Sequence, residues 1–385
     1  MSSIKLKHSG GNGVSITAPD TNPSSDRTLK LPSTDADGLI TTKDSNDSLQ
    51  SVSGINGGQI SNRNLVMNGA MRIDQRNDGS AVTVPNGNAT FITDRFKIFE
   101  DTDGVVTGQR VADAPVGFFS SLKIDCTTAD TSLSASQRLI CAYRIEGSDF
   151  EHLNFGTANA KTMTLSFYVK SNLTGTFGGV VKNSGDNRVY IFSYSISSAN
   201  TWERKSVTIA GDTGGTWLVG NNTGLTINWG LALGSNWVSS AGNWGTTDRH
   251  GVTGQQNLLS STSNEWLLTG VQLEEGSVAT SFEHKFIGQD LQDCQRYYQI
   301  VRGATRNDYR SNNRARTGNN MNYFTEMRAN PTASTFATVA SQNMDSVTYE
   351  RVNKRGLNFT AVGIVTVGGT DGQELINDVQ LSAEL

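Results

Sequence analysis

The feature that most constrains this chain is apolar alternation with a period of two. In residues 161–170, Met163, Leu165, Phe167 and Val169 alternate with Thr162, Thr164, Ser166 and Tyr168, the pattern of a strand with one buried face. Ile227, Trp229, Leu231 and Leu233 alternate in the same way with Asn228, Gly230 and Ala232. Further strands are expected at 91–99, 104–111, 122–125, 139–146, 188–197, 204–209 and 266–274. No amphipathic helical segment intervenes, so residues 63–285 are expected to form two packed antiparallel sheets, an all-β jelly-roll sandwich. Composition agrees: 40 glycines with abundant Ser, Thr and Asn supply turns, and a charged fraction of only 18% excludes a coiled coil. With 32 Lys+Arg against 36 Asp+Glu there is no global basic field, which argues against a nucleic-acid partner.

No stretch approaches the roughly 20 apolar residues that span a bilayer, so membrane insertion is not expected. The opening MSSIKLKHSGG carries charge without the apolar core of a secretory leader. Cys126, Cys141 and Cys294 are odd in number and have no Cys-x-x-Cys spacing. They are expected to be reduced and to pack as small hydrophobes, as in a protein made in a reducing cytoplasm.

Residues 1–62 read differently. They hold Pro19, Pro23 and Pro32 and only short apolar pieces, Ile4 to Leu6 and Val14 to Ile16, which cannot bury enough surface to fold alone. An extended arm that orders on another protein or on copies of itself is expected, with 44–58 as a linker. At 288–298 the run GQDLQDCQRYY reads as a short helix, with Asp290 as its cap and Leu291, Cys294 and Tyr298 on one side. This linking segment, 286–300, would join the sandwich to a small distal β domain at 301–385. Strands are expected there at 297–301, 322–328, 334–339, 346–351 and 357–367, with a last one running to Leu385.

Signs of catalysis are missing. His8, His152, His250 and His284 do not pair at metal-ligand spacing, and neither a nucleophile elbow nor a phosphate loop is present. Glu274 and Glu275 are adjacent, and on a strand they would face opposite ways. Two regions suit binding instead. Trp237 and Trp244 lie in the loop-like GSNWVSSAGNWG, where an exposed indole could stack on a sugar ring; the alternative is that they plug the sandwich edge. Residues 301–316 (VRGATRNDYRSNNRAR) carry five arginines against Asp308 and suit a hairpin tip. There Tyr309, Arg310 and Arg314 could grip phosphate or carboxylate groups; the alternative is a solvated loop or ion pairs between subunits.

Several runs together carry a resemblance: NLVMNGAMRIDQR (64–76), TDRF (93–96), YRIEG (143–147), LNFGTANAKTMTLSFYVKSNLTGTFGG (153–179), FSYSISSANTWERKSVTIAGDTGGTW (192–217) and LTGVQLEEGSVATSFEHK (268–285). DLQDCQRYY (290–298), EMRANPT (326–332) and the terminal SAEL (382–385) complete the series. In order along the chain, they resemble a bacteriophage tail-fibre module. The opening IKLKHSGGNGVSI (4–16) with LKLPSTDADG (29–38) is similar to N-termini of structural fibres in phages of marine cyanobacteria.

The resemblance implies a virion protein of the tail, assembled in the host cytoplasm as a homotrimer. Its arm, with Ile4, Leu6, Val14, Ile16, Leu29 and Leu31, would attach to tail or adaptor and nozzle proteins. Its jelly roll would be similar to a carbohydrate-binding module, and its distal parts would meet host surface polysaccharide or lipopolysaccharide. No catalytic residues carry over, and no cofactor is implied. Jelly rolls of this type sometimes hold a structural calcium, but no ligands are assigned for one here. The alternatives are a purely structural fibre or collar protein and, from the enzyme class, a tailspike depolymerase, although the chain lacks the repeated rungs of a β-helix.

Overall fold

The computed structural model describes residues 3–7, 13–17, 62–307, 316–342, 344–363 and 373–385. Residues Met1–Ser53 and Gly54–Leu385 form separate compact units. In the first, β1 (Ser3–Lys7) and β2 (Gly13–Thr17) pair antiparallel, with Ile4 opposite Ile16 and Leu6 opposite Val14. The two short apolar pieces of the arm thus find each other. Leu29 and Leu31 lie outside the described residues.

In the second unit the alternating segments become strands. They begin with β3 (Val82–Thr83), β4 (Asn88–Thr93), β5 (Phe96–Glu100), β6 (Val105–Val111), β7 (Ser121–Thr128) and β8 (Arg138–Glu146). Next come β9 (Met163–Ser171), β10 (Gly175–Lys182), β11 (Val189–Ile196), β12 (Glu203–Ile209) and β13 (Thr223–Leu233). The short β14 (Val238–Ser239), β15 (Trp244–Gly245) and β16 (Gly251–Val252) precede the long β17 (Glu265–Glu275). Seven strands form one sheet in the order β15-β11-β10-β13-β8-β5-β4, and six form the other as β12-β9-β17-β7-β6-β3. The pairings within both sheets are antiparallel. This is the expected all-β sandwich.

Most of the predicted inward residues form its core: Met163, Leu165, Phe167 and Val169 are fully buried, as are Ile227, Trp229 and Leu231. They meet Leu122, Ile124, Leu139, Cys141 and Tyr143 across the sandwich. Leu233, expected inward, is only half-buried, while Ala232, expected outward, joins the core, because a register shift between Gly230 and Ala232 breaks the alternation. All three cysteines are buried and free, and burial raises each thiol pKa, so they pack as small apolar groups.

Two features of the sandwich differ from the sequence reading. The single strand expected at 91–99 is the hairpin β4–β5, turning at Asp94 and Arg95, where Arg95 has φ +72°. Tertiary partners replace the missing turn signal: Asp94 accepts from the Gln75 N–H at 2.9 Å, and Arg95 pairs with Glu384. The second is β10, a strand the glycines disguise as a turn. Its Gly178 and Gly179 allow close approach, since an added Cβ would lie 2.5 Å from the Val252 nitrogen and 2.2 Å from the Phe192 ring respectively.

Beyond the sandwich, the helix spans Ile287–Gln295. It begins earlier than expected, with Phe286 at the N-cap, so Asp290 is not its cap; it sits in the first turn and accepts from the Asn68 N–H at 3.1 Å. Tyr298 lies beyond the helix and opens β18 (Tyr298–Asn307). There follow β19 (Arg316–Asn322), β20 (Thr332–Gln342), β21 (Met344–Glu350), β22 (Gly356–Gly363) and β23 (Gln373–Ser382). The expected strand at 322–328 is not formed, because β19 ends at Asn322 and Arg328 turns inward as an anchor. These strands make two three-stranded sheets, β18-β23-β20 and β19-β22-β21, around Val301, Met321, Met327, Leu357, Val379 and Leu381.

This module is riveted to the sandwich by buried charge. Glu146 is fully buried; it accepts from Arg296 Nη2 at 3.0 Å and from the Tyr297 hydroxyl at 2.8 Å, with Arg328 Nε 3.7 Å away. Glu384 pairs with Arg76 at 3.0 Å and with Arg95. The Arg95 and Arg76 guanidiniums lie 3.5 and 3.6 Å from the Tyr297 and Tyr298 ring centres.

Candidate functional site

A cavity of about 310 Å³ lies on the outer face of the seven-stranded sheet. Strand register builds it. While Ile227 and Trp229 point into the core, Thr226 and Asn228 of β13 point out. Thr226 stands opposite Lys182 of β10 on one side and Arg144 of β8 on the other. In the next row, Asn228 is flanked by Val180 and Ala142, and Ala142 is opposite Lys97 of β5. Small side chains therefore make a low floor between long basic walls. The segment ending at Gly251 closes one side: an added Cβ on Gly230 would lie 2.7 Å from the His250 carbonyl oxygen.

The charged groups fall into two kinds. Lys182 is buried and already neutralised, its Nζ 2.8 Å from Asp186 and 2.7 Å from Asp248. Arg138 is held between rings, 4.9 Å from the Phe99 centre and 4.1 Å from the Trp237 centre, and its Nη1 donates to His250 Nε2 at 2.9 Å. By contrast, Arg144 is half-buried, and its guanidinium forms no hydrogen bond or ion pair among the described residues; it feels Asp186 only through space. Lys97 donates to the Leu385 carbonyl oxygen at 3.0 Å; burial, reinforced by Arg144 and Arg95, pushes its pKa down to about 8.

At the base lies His250, 1% exposed. Burial foremost, then Lys182 and Arg138, push its pKa down to about 2, so the imidazole is neutral. Its Nδ1 faces the Asn228 amide at 3.1 Å. Asn228 is 2% exposed, and its outer amide atom is buried without a partner. A native structure leaves few such atoms unpaired, and Asn228 is one of the residues lining the cavity.

The titration of His250 has a measurable consequence. Unfolded, it takes up a proton below about pH 6.5; folded, it does not until about pH 2. The unfolded state then binds more protons, so this residue's contribution to stability is lost as pH falls below about 6.5. Replacing His250 with Gln is expected to shrink the stability gap to wild type by about 2 kcal/mol between roughly pH 7 and pH 4.5, read from urea midpoints. Asp94, raised by burial to about 6, gives an opposite slope between its unfolded value and that pH, but it is common to both proteins and cancels in the difference. A gap that stays constant with pH would contradict a neutral buried His250.

Of the residues singled out in the sequence, Trp237 does not line this cavity but packs against two residues that do, Arg138 and His250. One face of its ring meets Arg138, the His250 ring centre is 5.1 Å away, and its Nε1 donates to the Ser136 carbonyl at 2.6 Å. Trp244 is elsewhere, wedged against Tyr190, Trp217 and Phe155 at 5.3, 5.6 and 5.9 Å, with Nε1 donating to the Ala210 carbonyl at 2.8 Å. Tyr309, Arg310 and Arg314 lie outside the described residues. The strands on either side of them do not form the expected hairpin: β18 pairs with β23 and β19 with β22, in different sheets. Arg302, at the start of the basic run, forks onto Asp378 at 2.8 and 3.1 Å. Glu274 and Glu275 do face apart, Glu274 accepting from the Thr280 N–H at 2.9 Å and Glu275 pairing with Lys161 at 2.9 Å. Among the described residues, no group of three or more His, Cys, Asp or Glu is placed to hold a metal ion.

Sequence reasoning missed Lys97, Arg144, Lys182, Asn228 and His250. Their one signal was position: Lys97, Arg144 and Asn228 each sit between two inward apolar residues.

No protein-family model matches the sequence, and no curated protein matches it. Among solved structures, the enzymatically active domain of tailspike protein 4 of bacteriophage CBA120 is similar at 14% identity and TM-score 0.29. That match covers 55% of this chain and 21% of the tailspike. The carbohydrate-binding module TmCBM61 in complex with β-1,4-galactotriose is similar at 7% identity and TM-score 0.28, over 55% of this chain and 99% of the module. A family 11 carbohydrate-binding module from Clostridium thermocellum, bound to a mixed-linked tetrasaccharide, is similar at 9% identity and TM-score 0.25, over 53% of this chain and 98% of the module.

Proposed function

We propose that this chain is the adhesive subunit of a bacteriophage tail fibre, a homotrimer that binds host surface polysaccharide without cleaving it. The observation that carries the glycan-binding part is the groove on the seven-stranded sheet. It has a floor of small side chains, basic walls and a buried amide atom awaiting a partner, the concave setting that a polar ligand needs. The virion part is supported by the resemblance of 64–76, 153–179, 192–217 and 268–285 to tail-fibre modules. The arm, including Ile4, Leu6, Val14 and Ile16, would attach the trimer to a tail or adaptor protein. Several weak grooves per particle would supply avidity, so that no single site need bind tightly. Tyr309, Arg310 and Arg314 would add a second contact further along the chain.

The absence of bond cleavage is part of the proposal, and the cavity acids favour it. Asp186 and Asp248 both converge on Lys182 Nζ, which engages them as ion-pair partners. The test uses the full chain, purified, with polysaccharide extracted from the host. Retention of the protein on immobilised polysaccharide and inhibition of virion adsorption are expected, with no increase in reducing ends. Failure to bind and to compete would overturn the adhesive reading in favour of a purely structural fibre part, and new reducing ends would overturn the non-catalytic one.

A further inference from the structure

The hydrogen-bond logic at the base of the groove fixes what it can receive. As placed, the Asn228 Nδ2 lies 3.1 Å from His250 Nδ1, and its Oδ1 is buried without a partner. A guanidinium can only donate, so Arg138 Nη1 obliges His250 Nε2 to accept at 2.9 Å; Asp248 Oδ2, at 3.7 Å from the same nitrogen, lies beyond hydrogen-bond distance. The imidazole, buried beside Arg138 and Lys182, is neutral, and its single proton therefore sits on Nδ1. That proton needs an acceptor, which among the described residues the amide oxygen of Asn228 provides. The oxygen therefore faces His250, and the amide N–H₂ takes the unpartnered place facing the cavity. Arg138 thus sets the tautomer of His250, and His250 sets Asn228 as a donor.

Around that donor stand two further cationic groups, Arg144 and Lys97. Arg144, one row away across Thr226, has no partner among the described residues. Lys97, in the same row as Asn228 and two strands over, about 10 Å at the usual strand spacing, donates to the Leu385 main-chain oxygen, lies 5.4 Å from the Phe91 ring centre and feels Glu384 through space. The acids in the cavity that could answer them, Asp186 and Asp248, are held by Lys182. We propose that the groove selects a sugar bearing an anionic oxygen group, a carboxylate or a sulfate ester, received by the Asn228 amide N–H₂ and the Arg144 guanidinium. This rests on the glycan-binding reading and narrows it to acidic saccharides. A guanidinium facing a carboxylate or sulfate forms the stronger, charge-assisted class of hydrogen bond, whereas a neutral hydroxyl would leave the half-buried Arg144 with only the through-space field of Asp186.

The test measures binding of the full chain by calorimetry to paired oligosaccharides: oligogalacturonate and its methyl ester, oligoalginate and its methyl ester, and a sulfated galactan fragment beside its desulfated form. The carboxylate and sulfate pairs distinguish the two sources of charge. At least one acidic member is expected to bind about tenfold or more tightly than its neutral counterpart. In Arg144→Gln, whose side chain is half-buried and unpaired, the preference should fall to about threefold or less with melting unchanged. Asn228→Asp keeps an acceptor for His250 but turns the free donor into an acceptor; it should abolish acid binding, with folding checked by circular dichroism. Equal binding of acidic and neutral members, or a preference that survives Arg144→Gln, overturns the anionic inference and leaves the glycan reading standing. Absence of binding to every acidic member also overturns the inference, and binding of the host polysaccharide then decides the glycan reading separately.

Discussion

Replacing Trp229 with Ala is expected to destabilise the chain by about 3–5 kcal/mol, the range for truncating a large aromatic in a packed core. Trp229 sits at the middle of β13, itself the middle strand of the seven-stranded sheet. Its side chain is fully buried, with its ring centre 5.7 Å from that of Phe167 across the sandwich and 6.5 Å from that of Phe96 on the same sheet. Few neighbours could fill the resulting void, because Phe96 and Phe167 are themselves fixed by strand pairing, Phe96 opposite Tyr143 and Phe167 opposite Lys205. A useful control is Phe119→Ala, since Phe119 is 84% exposed and its loss should cost no more than about 0.5 kcal/mol. Chemical denaturation of both variants decides the matter. Equal midpoints would mean that the two sheets do not share the core described. The cost should also reach the groove, because Asn228 is the neighbouring residue on the same strand.

Glu146→Ala should cost about 3 kcal/mol and act chiefly on the attachment of the C-terminal module. Its carboxylate is the meeting point of Arg296, the Tyr297 hydroxyl and Arg328, so its removal leaves Arg328, 9% exposed, without a counter-charge in a buried setting. Arg296 is about a third exposed, and water compensates it in part, which places the estimate at the low end of the range for broken buried pairs. Amide exchange in 296–301 and 379–383 is expected to accelerate before exchange in β9 or β13 does. Loss of protection spread evenly over the sandwich would show that Glu146 supports the whole fold instead of the junction.

Much of the architecture can be read from the residues because β alternation is a local property. The strands 163–171 and 223–233, their buried faces, the reduced cysteines and the existence of a helix near 290 each follow from side chains within a few positions of one another. Where the reading failed, a distant partner had intervened. Gly178 and Gly179 signal a turn locally, yet they make a central strand, because Val252 and the Phe192 ring press against them. Asp94 and Arg95 carry no turn signal, yet the chain reverses there, since Gln75 and Glu384 hold their side chains. Asp290 satisfies the rules for a cap, yet the helix starts before it and its carboxylate answers Asn68.

The candidate site divides in the same way. Alternation alone made Lys97, Arg144, Thr226 and Asn228 outward-facing residues, because each lies between inward apolar neighbours. Only the order β10-β13-β8-β5, with its register, set Thr226 between Lys182 and Arg144 and brought His250 from a later loop onto Asn228. The sequence by itself therefore determined which faces of which strands are polar, since that depends on the two-residue repeat of the backbone. The tertiary structure decided which polar residues share a groove and which atom is left without a partner, since strand order and hydrogen-bond direction depend on residues far apart in the chain.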